Sequence, residues 1–407
     1  MKNLPKSVLF LPFLQIPSGH HQAAEALLEE LGKRHPHTQC EKVDILGYSY
    51  GRMESFVSRI YLKWIHALPG IYHALYQHSV YKNPQEDKRF YLYEFLFLPF
   101  MRKLISEKNP DLIICTHALP AYMVNVLKKR NELKVPAINV YTDYFIHRFW
   151  GVDQIDFHFV PTEGMKTFLK NKGVSEQNIY ITGIPVHNKI TKLTEPPKNK
   201  TSTSFSVLVA GGSMGAGGVG NLVRKLAQTP TEGKLHYYIL CGKNRGLYEQ
   251  LKKLKHENIT PLAYISCKDE MNKLYDDIDA VVTKPGGVTI SECLCKRKPI
   301  FIHEALPGQE VINLQQLNEL GVVFQLNKEN IHEQILSILQ NENKMERYQD
   351  EVSNFHSQLC REEPADILGA LLNGEFLMPD NEQGILLNNR AGDTKQENSG
   401  AGKGRGK

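Results

Sequence analysis

None of the seven cysteines forms a CxxC pair. That absence argues against a disulfide framework and against a structural zinc site. The nearest two, in Cys293-Leu294-Cys295, fall on one helix and are expected to pack rather than to bind metal. This cysteine usage points to a reducing cytoplasm, and without an opening basic segment, apolar run and small-residue cleavage site secretion is not expected. An RNA-binding aromatic motif, a zinc finger and a basic arm are all missing, so no nucleic-acid partner is expected. The most apolar stretch, residues 90–101, falls well short of the roughly 20 residues that cross a bilayer, and Glu94 and Pro99 interrupt it. What remains is ordinary for a globular protein: 407 residues, 41% hydrophobic and 23% charged. That length allows two domains with separate cores.

The net charge is a modest +5, and most of it sits between Arg52 and Lys108, where nine Lys/Arg face five Asp/Glu. Phe56, Tyr61, Trp64, Phe95 and Phe97 share this region. Two readings follow: helices that face a core, or a surface that lies on an anionic membrane.

The stretch Val281–Glu292 organises the second half. Asp279–Thr283 is short, apolar and β-branched, as a buried strand should be. Pro285-Gly286-Gly287 ends it and leaves the backbone open to a ligand. Thr289 and Ser291 are expected to cap the following helix. Free N–H groups and a positive dipole end then suit a phosphate. Glu292, on the first turn, is either a ribose ligand or a solvated glutamate beside a tight turn. Val207–Gly215 is a second strand running into a second glycine turn. Pro299–Glu310 follows downstream, with Asn313 after it. Strands are expected near 205–210, 235–241, 259–265, 279–283, 299–303 and 322–326. Asp277-Ile278-Asp279 fits a D-x-D metal pattern but lies before its strand, so it reads as a turn and no metal is expected.

The first half alternates in the same way. Ser7–Leu11 is a strand, and a helix with Ala23, Ala24, Leu27, Leu28 and Leu31 follows the loop Gln15–His20. An imidazole with a pKa of about 6.5 can take a proton near neutral pH, which makes His20 a general-base candidate as well as an ordinary helix-start residue. His21 points roughly 100° away on the helix. Asp111–Thr116 and Ala137–Tyr141 are strands around a helix at Ala121–Arg130, the βα pattern of a parallel sheet. Asp143 and His147 lie past the carboxyl end of a strand, where ligands gather. An Asp there can equally cap its own loop. The expected division is a first domain over 1–191, a linker over 192–204, a second domain over 205–378 and a disordered tail over 379–407.

Taken together, several motifs resemble glycosyltransferase family 28, which includes monogalactosyldiacylglycerol synthases and bacterial processive diacylglycerol glucosyltransferases. They are Lys284-Pro285-Gly286-Gly287 with Thr289 and Glu292, and Pro307-Gly308-Gln309-Glu310 with Asn313. Cys241-Gly242-Lys243-Asn244, and Thr142-Asp143-Tyr144 with His147 and Trp150, add to the match. The family's G-x-G-H loop is replaced here by Pro17-Ser18-Gly19-His20. The resemblance implies a GT-B fold, two doubly wound Rossmann-like domains facing across a cleft, with the helices over roughly 344–373 packing back on the first. It implies inverting transfer of a hexose from a UDP-hexose donor to a lipid acceptor such as diacylglycerol, without metal or cofactor, at the inner face of the cell membrane. His20 would be the base and Asp143 an acceptor-side group. Gly211, Gly212, Ser213, Gly215, Lys243, Ile265, Lys284, Gly286, Gly287, Val288 and Thr289 would hold the nucleotide, with Glu292 on the ribose. Gln309 and Glu310 would bind the sugar hydroxyls, with Pro307, Gly308 and Asn313 of the same motif also on the donor side. A UDP-sugar 2-epimerase and a catalytically silent UDP-sugar-binding regulator share most of these features. The first would need no lipid-facing aromatic region, and the second nothing from His20.

Overall fold

The computed structural model describes residues 5–13, 18–50, 89–196, 204–211, 219–228 and 233–374. The first half runs β1 (Ser7–Leu11), α1 (Gly19–Arg34), β2 (Gln39–Lys42), α2 (Ile45–Tyr50), α3 (Tyr91–Lys108) and β3 (Leu112–Cys115). It continues with α4 (Ala118–Lys129), β4 (Ala137–Val140), β5 (Phe157–Val160), α5 (Glu163–Asn171) and β6 (Ile179–Ile181). The strands pair in the order β2-β1-β3-β4-β5-β6, all parallel. Period-2 alternation explains why they read as unbroken apolar runs. Leu9, Leu11, Ile113 and Cys115 face a core shared with α3 and α4, whereas Val8, Phe10, Leu112 and Ile114 face α1. Both faces are covered, as parallel sheets require.

The second half runs β7 (Phe205–Ala210), α6 (Val219–Gln228), β8 (Leu235–Leu240), α7 (Arg245–Leu254), β9 (Ile259–Leu262) and α8 (Lys268–Asp277). Then come β10 (Ala280–Thr283), α9 (Gly287–Cys295), β11 (Ile300–Ile302), α10 (Gln309–Glu319), β12 (Phe324–Gln325) and α11 (Ile331–Leu339). The strand order is β12-β11-β10-β7-β8-β9, again parallel. Read from its other edge this is the doubly wound Rossmann order, which reverses between β7 and β10. Asp279 Oδ2 accepts the Ser206 N–H at 2.9 Å, so the D-x-D stretch pins these two central strands at their amino ends. Cys293 is buried and Cys295 half-buried, both free thiols on α9.

The chain closes with α12 (Glu342–Ser357) and α13 (Pro364–Leu372). Of the two helices expected to pack back on the first domain, α13 does so, with Ala365, Ile367 and Leu368 in the core that Val8 and Phe10 share with α1. By contrast, α12 sets Tyr348 and Val352 in the core of the second half with Leu317 and Val322. Residues 191–194 are bound to the second half, through Thr191 N–H to Asn272 and Leu193 N–H to Cys295. The expected linker beyond Pro196, the basic aromatic stretch over 52–88 and the tail over 379–407 lie outside the described residues.

Two local expectations are corrected. The helix expected from Ala121 begins at Ala118, because His117 Nδ1 accepts the Leu119 N–H and caps it. Thr289 and Ser291 do not cap α9. The helix begins earlier, at Gly287, with Gly286 in the capping position and no side-chain cap, so both lie inside the helix. Glu292 accordingly falls beyond the first turn.

Candidate active site

Each sheet has one place where successive connections leave in opposite directions, and ligands of doubly wound sheets bind there, beyond the carboxyl ends of the strands. In the first sheet it lies between β1 and β3. The helix after β1 starts with Gly19 and His20, and β3 is followed by Thr116 and His117. His20 Nδ1 lies 3.0 Å from the Thr116 carbonyl oxygen and 2.6 Å from Thr142 Oγ1. Thr116 Oγ1 donates back to the His20 carbonyl at 3.0 Å. A carbonyl only accepts, so Nδ1 carries the proton and Nε2 keeps its lone pair. His117 stands edge-on to the His20 ring, 4.7 Å between centroids. Burial lowers the His20 pKa, with the Asp143 carboxylate and the Thr116 carbonyl acting in the opposite direction. The imidazole is therefore neutral at neutral pH, as a base must be. His147 is also buried and is held down to about 3, by burial first and by His20 second.

In the second sheet the reversal lies between β7 and β10. Gly211 closes β7 and is buried. Gly212, Ser213 and Gly215 lie outside the described residues. After β10 the two glycines part in role. A methyl group on Gly286 would meet nothing within 4 Å, so this position is open to a ligand. A methyl group on Gly287 would stand 1.9 Å from the Thr142 carbonyl oxygen and 2.8 Å from Ile184. The bare Cα of Gly287 is what lets the first domain touch the start of α9. Val288 is buried and its methyl packs over Gly19, where a Cβ would meet it at 3.2 Å. The start of α1, which carries His20, and the glycine turn after β10 are thus neighbours across the domain boundary.

A cleft of about 370 Å³ extends from this junction. Its floor in the second domain includes Gly242, Ile265, Lys268, Tyr275, Thr289 and Glu292, and α1 supplies His21, Gln22, Glu25 and Glu29 opposite. Lys243 is exposed at its edge, with its ammonium 5.6 Å from the centre of the Tyr264 ring. Glu292 is 6% exposed, which excludes the solvated reading. It accepts from the Tyr275 hydroxyl at 2.9 Å and stands 3.6 Å from Lys268 Nζ. Burial raises its pKa against the pull of Lys268 and Tyr275. A buried carboxylate with one face on the cleft strongly favours two hydroxyl donors.

The stretch before α10 is shaped differently. Gly308 has φ +105°, a conformation reserved for glycine, and it turns the chain into the helix. Glu310 folds back to accept the Leu306 N–H at 2.6 Å and lies 3.7 Å from Lys284 Nζ. Gln309 is half-buried at the helix start and Pro307 is exposed. Asn313 is engaged with the first domain. It is 1% exposed and its amide is spent on the first domain, donating to Asp143 Oδ1 and accepting from Tyr144 N–H, each at 2.8 Å. Asp143 therefore does not cap its own loop. Sequence reasoning missed Thr116 and His117 around His20, and Lys268 and Tyr275 around Glu292; Thr142 was read only as part of its motif, without its contact to His20. A histidine just past the end of β3, beside the reversal point, was the available signal for the first group.

The comparisons with known proteins agree with this layout. The model of the monogalactosyldiacylglycerol synthase family matches residues 20–186, and that of the glycosyltransferase family 28 C-terminal domain matches residues 206–361. An uncharacterized glycosyltransferase of Bacillus subtilis, YkoN, is 40% identical over 90% of this chain and 97% of its own. The processive diacylglycerol beta-glucosyltransferase of the same organism is 27% identical over 87% of this chain and 92% of its own. Among solved structures, MurG of Acinetobacter baumannii superposes with a TM-score of 0.57 at 12% identity, over 91% of this chain and all of its own. SnogD of Streptomyces nogalater, a glycosyltransferase, gives 0.54 at 14%, over 90% of this chain and 99% of its own. These last two bear on the fold, which is GT-B. The chain belongs to glycosyltransferase family 28 and is an enzyme, a glycosyltransferase.

Proposed function

We propose that this enzyme transfers a hexose from a UDP-hexose to a hydroxyl of a lipid such as diacylglycerol, with inversion at the anomeric carbon. The observation that carries the reading is His20: a neutral imidazole, tautomer fixed by Thr116, set beside the start of α9 across the domain boundary. Inversion needs a base on one face of the sugar and a stabilised diphosphate on the other. His20 Nε2 removes the acceptor proton as that oxygen attacks the anomeric carbon and the bond to the diphosphate breaks. The N–H groups at Gly286–Thr289 and the Lys284 ammonium meet the charge that develops on UDP. In this scheme no metal or cofactor takes part, and Gln309 and Glu310 hold sugar hydroxyls. The diacylglycerol glucosyltransferase relatives support the lipid acceptor. The test is product analysis with a panel of UDP-hexoses and lipid.

Glu292 is assigned to the donor ribose because it is the buried carboxylate on the cleft floor. Glu292→Gln should weaken UDP binding by about 1.5–3 kcal/mol, the range for a charge-assisted hydrogen bond. Calorimetry that finds wild-type affinity in the folded variant would remove Glu292 from the donor site.

Among the described residues no helix is long and apolar enough to cross a membrane. We place the enzyme peripherally on the cytoplasmic face of the cell membrane, docked through α3. Phe97, Leu98 and Met101 of this helix are buried, while Tyr91, Leu92 and Phe95 are 67%, 66% and 81% exposed. Arg89, Lys129, Arg130 and Arg148 line a hollow beside them. Buried Glu94 holds two of these guanidinium groups, accepting from Arg89 at 2.9 and 3.0 Å and from Arg130 at 2.6 Å. Each apolar side chain leaving water contributes about 1.5–3 kcal/mol, and each nearby Lys or Arg about 1 kcal/mol on an anionic surface. Sedimentation with vesicles should show binding that rises with anionic lipid and weakens, without vanishing, as salt increases. Leu92→Ser with Phe95→Ser should reduce it and leave UDP affinity intact. A protein that stays in the supernatant at low salt rules this face out.

A further inference from the structure

Asn313 sits on α10 of the second domain, but its side-chain amide is turned to the first, and those surroundings give it a task there. Its Nδ2–H holds Asp143 and its Oδ1 holds the Tyr144 N–H. Tyr144 is fixed a second time, its hydroxyl 2.9 Å from Ser291 Oγ on α9. Thr142, adjoining Asp143, turns its carbonyl to Gly287 and its hydroxyl to His20. Residues 142–144 therefore touch the base on one side and the donor domain on the other. On α10, Asn313 lies four residues after Gln309 and three after Glu310, which puts all three on one helix face.

From this we infer that Asn313 is a positioning residue for the proton transfer: the helix that meets the donor sugar with its first turn holds Asp143, and the loop against His20, with its next. The inference rests on the reading of His20 as the base. An asparagine suits the place because it donates to a carboxylate and accepts from an N–H at once. An aspartate keeps the acceptor and loses the donor. The groups that face His20 are Asp143 and His147 from the loop after β4, His117 from the start of α4 and, next along α1, His21. Of these Asp143 is the one that favours the imidazolium form after proton transfer.

The test combines turnover, UDP calorimetry and an NMR titration of the His20 imidazole, whose signal is identified by its loss in His20→Ala. Asn313→Ala should lower turnover about 10–100-fold, as misplacement of a reacting group does, with UDP affinity within about twofold of wild type. The His20 midpoint should move further down as Asp143 leaves its place. Asn313→Asp, which preserves the volume and the contact to Tyr144, should lose turnover in the same way, and it carries the test if the alanine variant does not fold. Unchanged turnover and an unchanged His20 midpoint in a folded variant overturn the inference. So does a loss confined to UDP-hexose affinity, which would return Asn313 to the donor site. If His20→Ala itself keeps wild-type turnover, the base assignment has failed instead, a result distinct from either.

Discussion

His20→Ala should lower turnover about 10²–10⁴-fold while UDP affinity stays close to wild type. The two effects separate because His20 sits on the first domain against Thr116 and Thr142, whereas the cleft floor belongs to the second. His21, its neighbour, lines the donor cleft with Glu25 and Glu29 and is expected to affect donor binding rather than proton transfer. The pH dependence follows from the direction of the His20 shift. Burial lowers its pKa, so the free base persists below the usual imidazole midpoint of about 6.5. Turnover should therefore hold through neutral pH and fall only on the acid side of that value. Turnover that declines already from pH 8 to 7, or a near-wild-type His20→Ala, would place the base elsewhere, with Asp143 next in line.

Gly287→Ala should damage both stability and turnover. The added methyl would stand 1.9 Å from a backbone oxygen, Thr142 O, and a backbone atom cannot rotate away. The contact between α9 and residues 142–144 must open, and overpacking of this kind costs about 1–3 kcal/mol. For domains of this size each kcal/mol lowers the melting temperature by about 2–4 °C. Because Thr142 also touches His20, the same displacement reaches the base. Gly286→Ala is the comparison for stability: its methyl meets open space, so the cost should be about 1 kcal/mol or less, that of an altered helix cap. Equal melting temperatures for the two variants would mean that the domains do not meet at Gly287 in solution.

The architecture was legible because it rests on local signals. Apolar runs of four to six residues at β1, β3, β4, β7 and β10, separated by helical spacing, mark parallel strands wherever they are placed. The glycine turn after β10 was readable for the same reason, whereas the burial of Glu292 was settled only by the packing of Tyr275 and Lys268 around it. Contacts that cross the domain boundary were not. That Gly287 must lack a side chain because Thr142, far upstream in the chain, packs against it is invisible in the local sequence. Asn313 looks like part of the sugar motif until its amide is seen on Asp143, 170 residues away. The capping error at Thr289 and Ser291 has a local cause, since the glycine pair lets the helix start before any side chain can cap it.

Hexose transfer to a lipid, with His20 taking the acceptor proton, is what these assignments amount to. Its most direct test is incubation of the wild type and His20→Ala with diacylglycerol-containing lipid and a panel of UDP-hexoses, read by mass spectrometry of the lipids and by UDP release. The wild type should form a hexosyl lipid in step with UDP from at least one donor, and the variant about 10²–10⁴-fold less of it. Donor converted to an epimer, or to free hexose with no lipid product, would contradict it, as would a lipid product made equally well without His20.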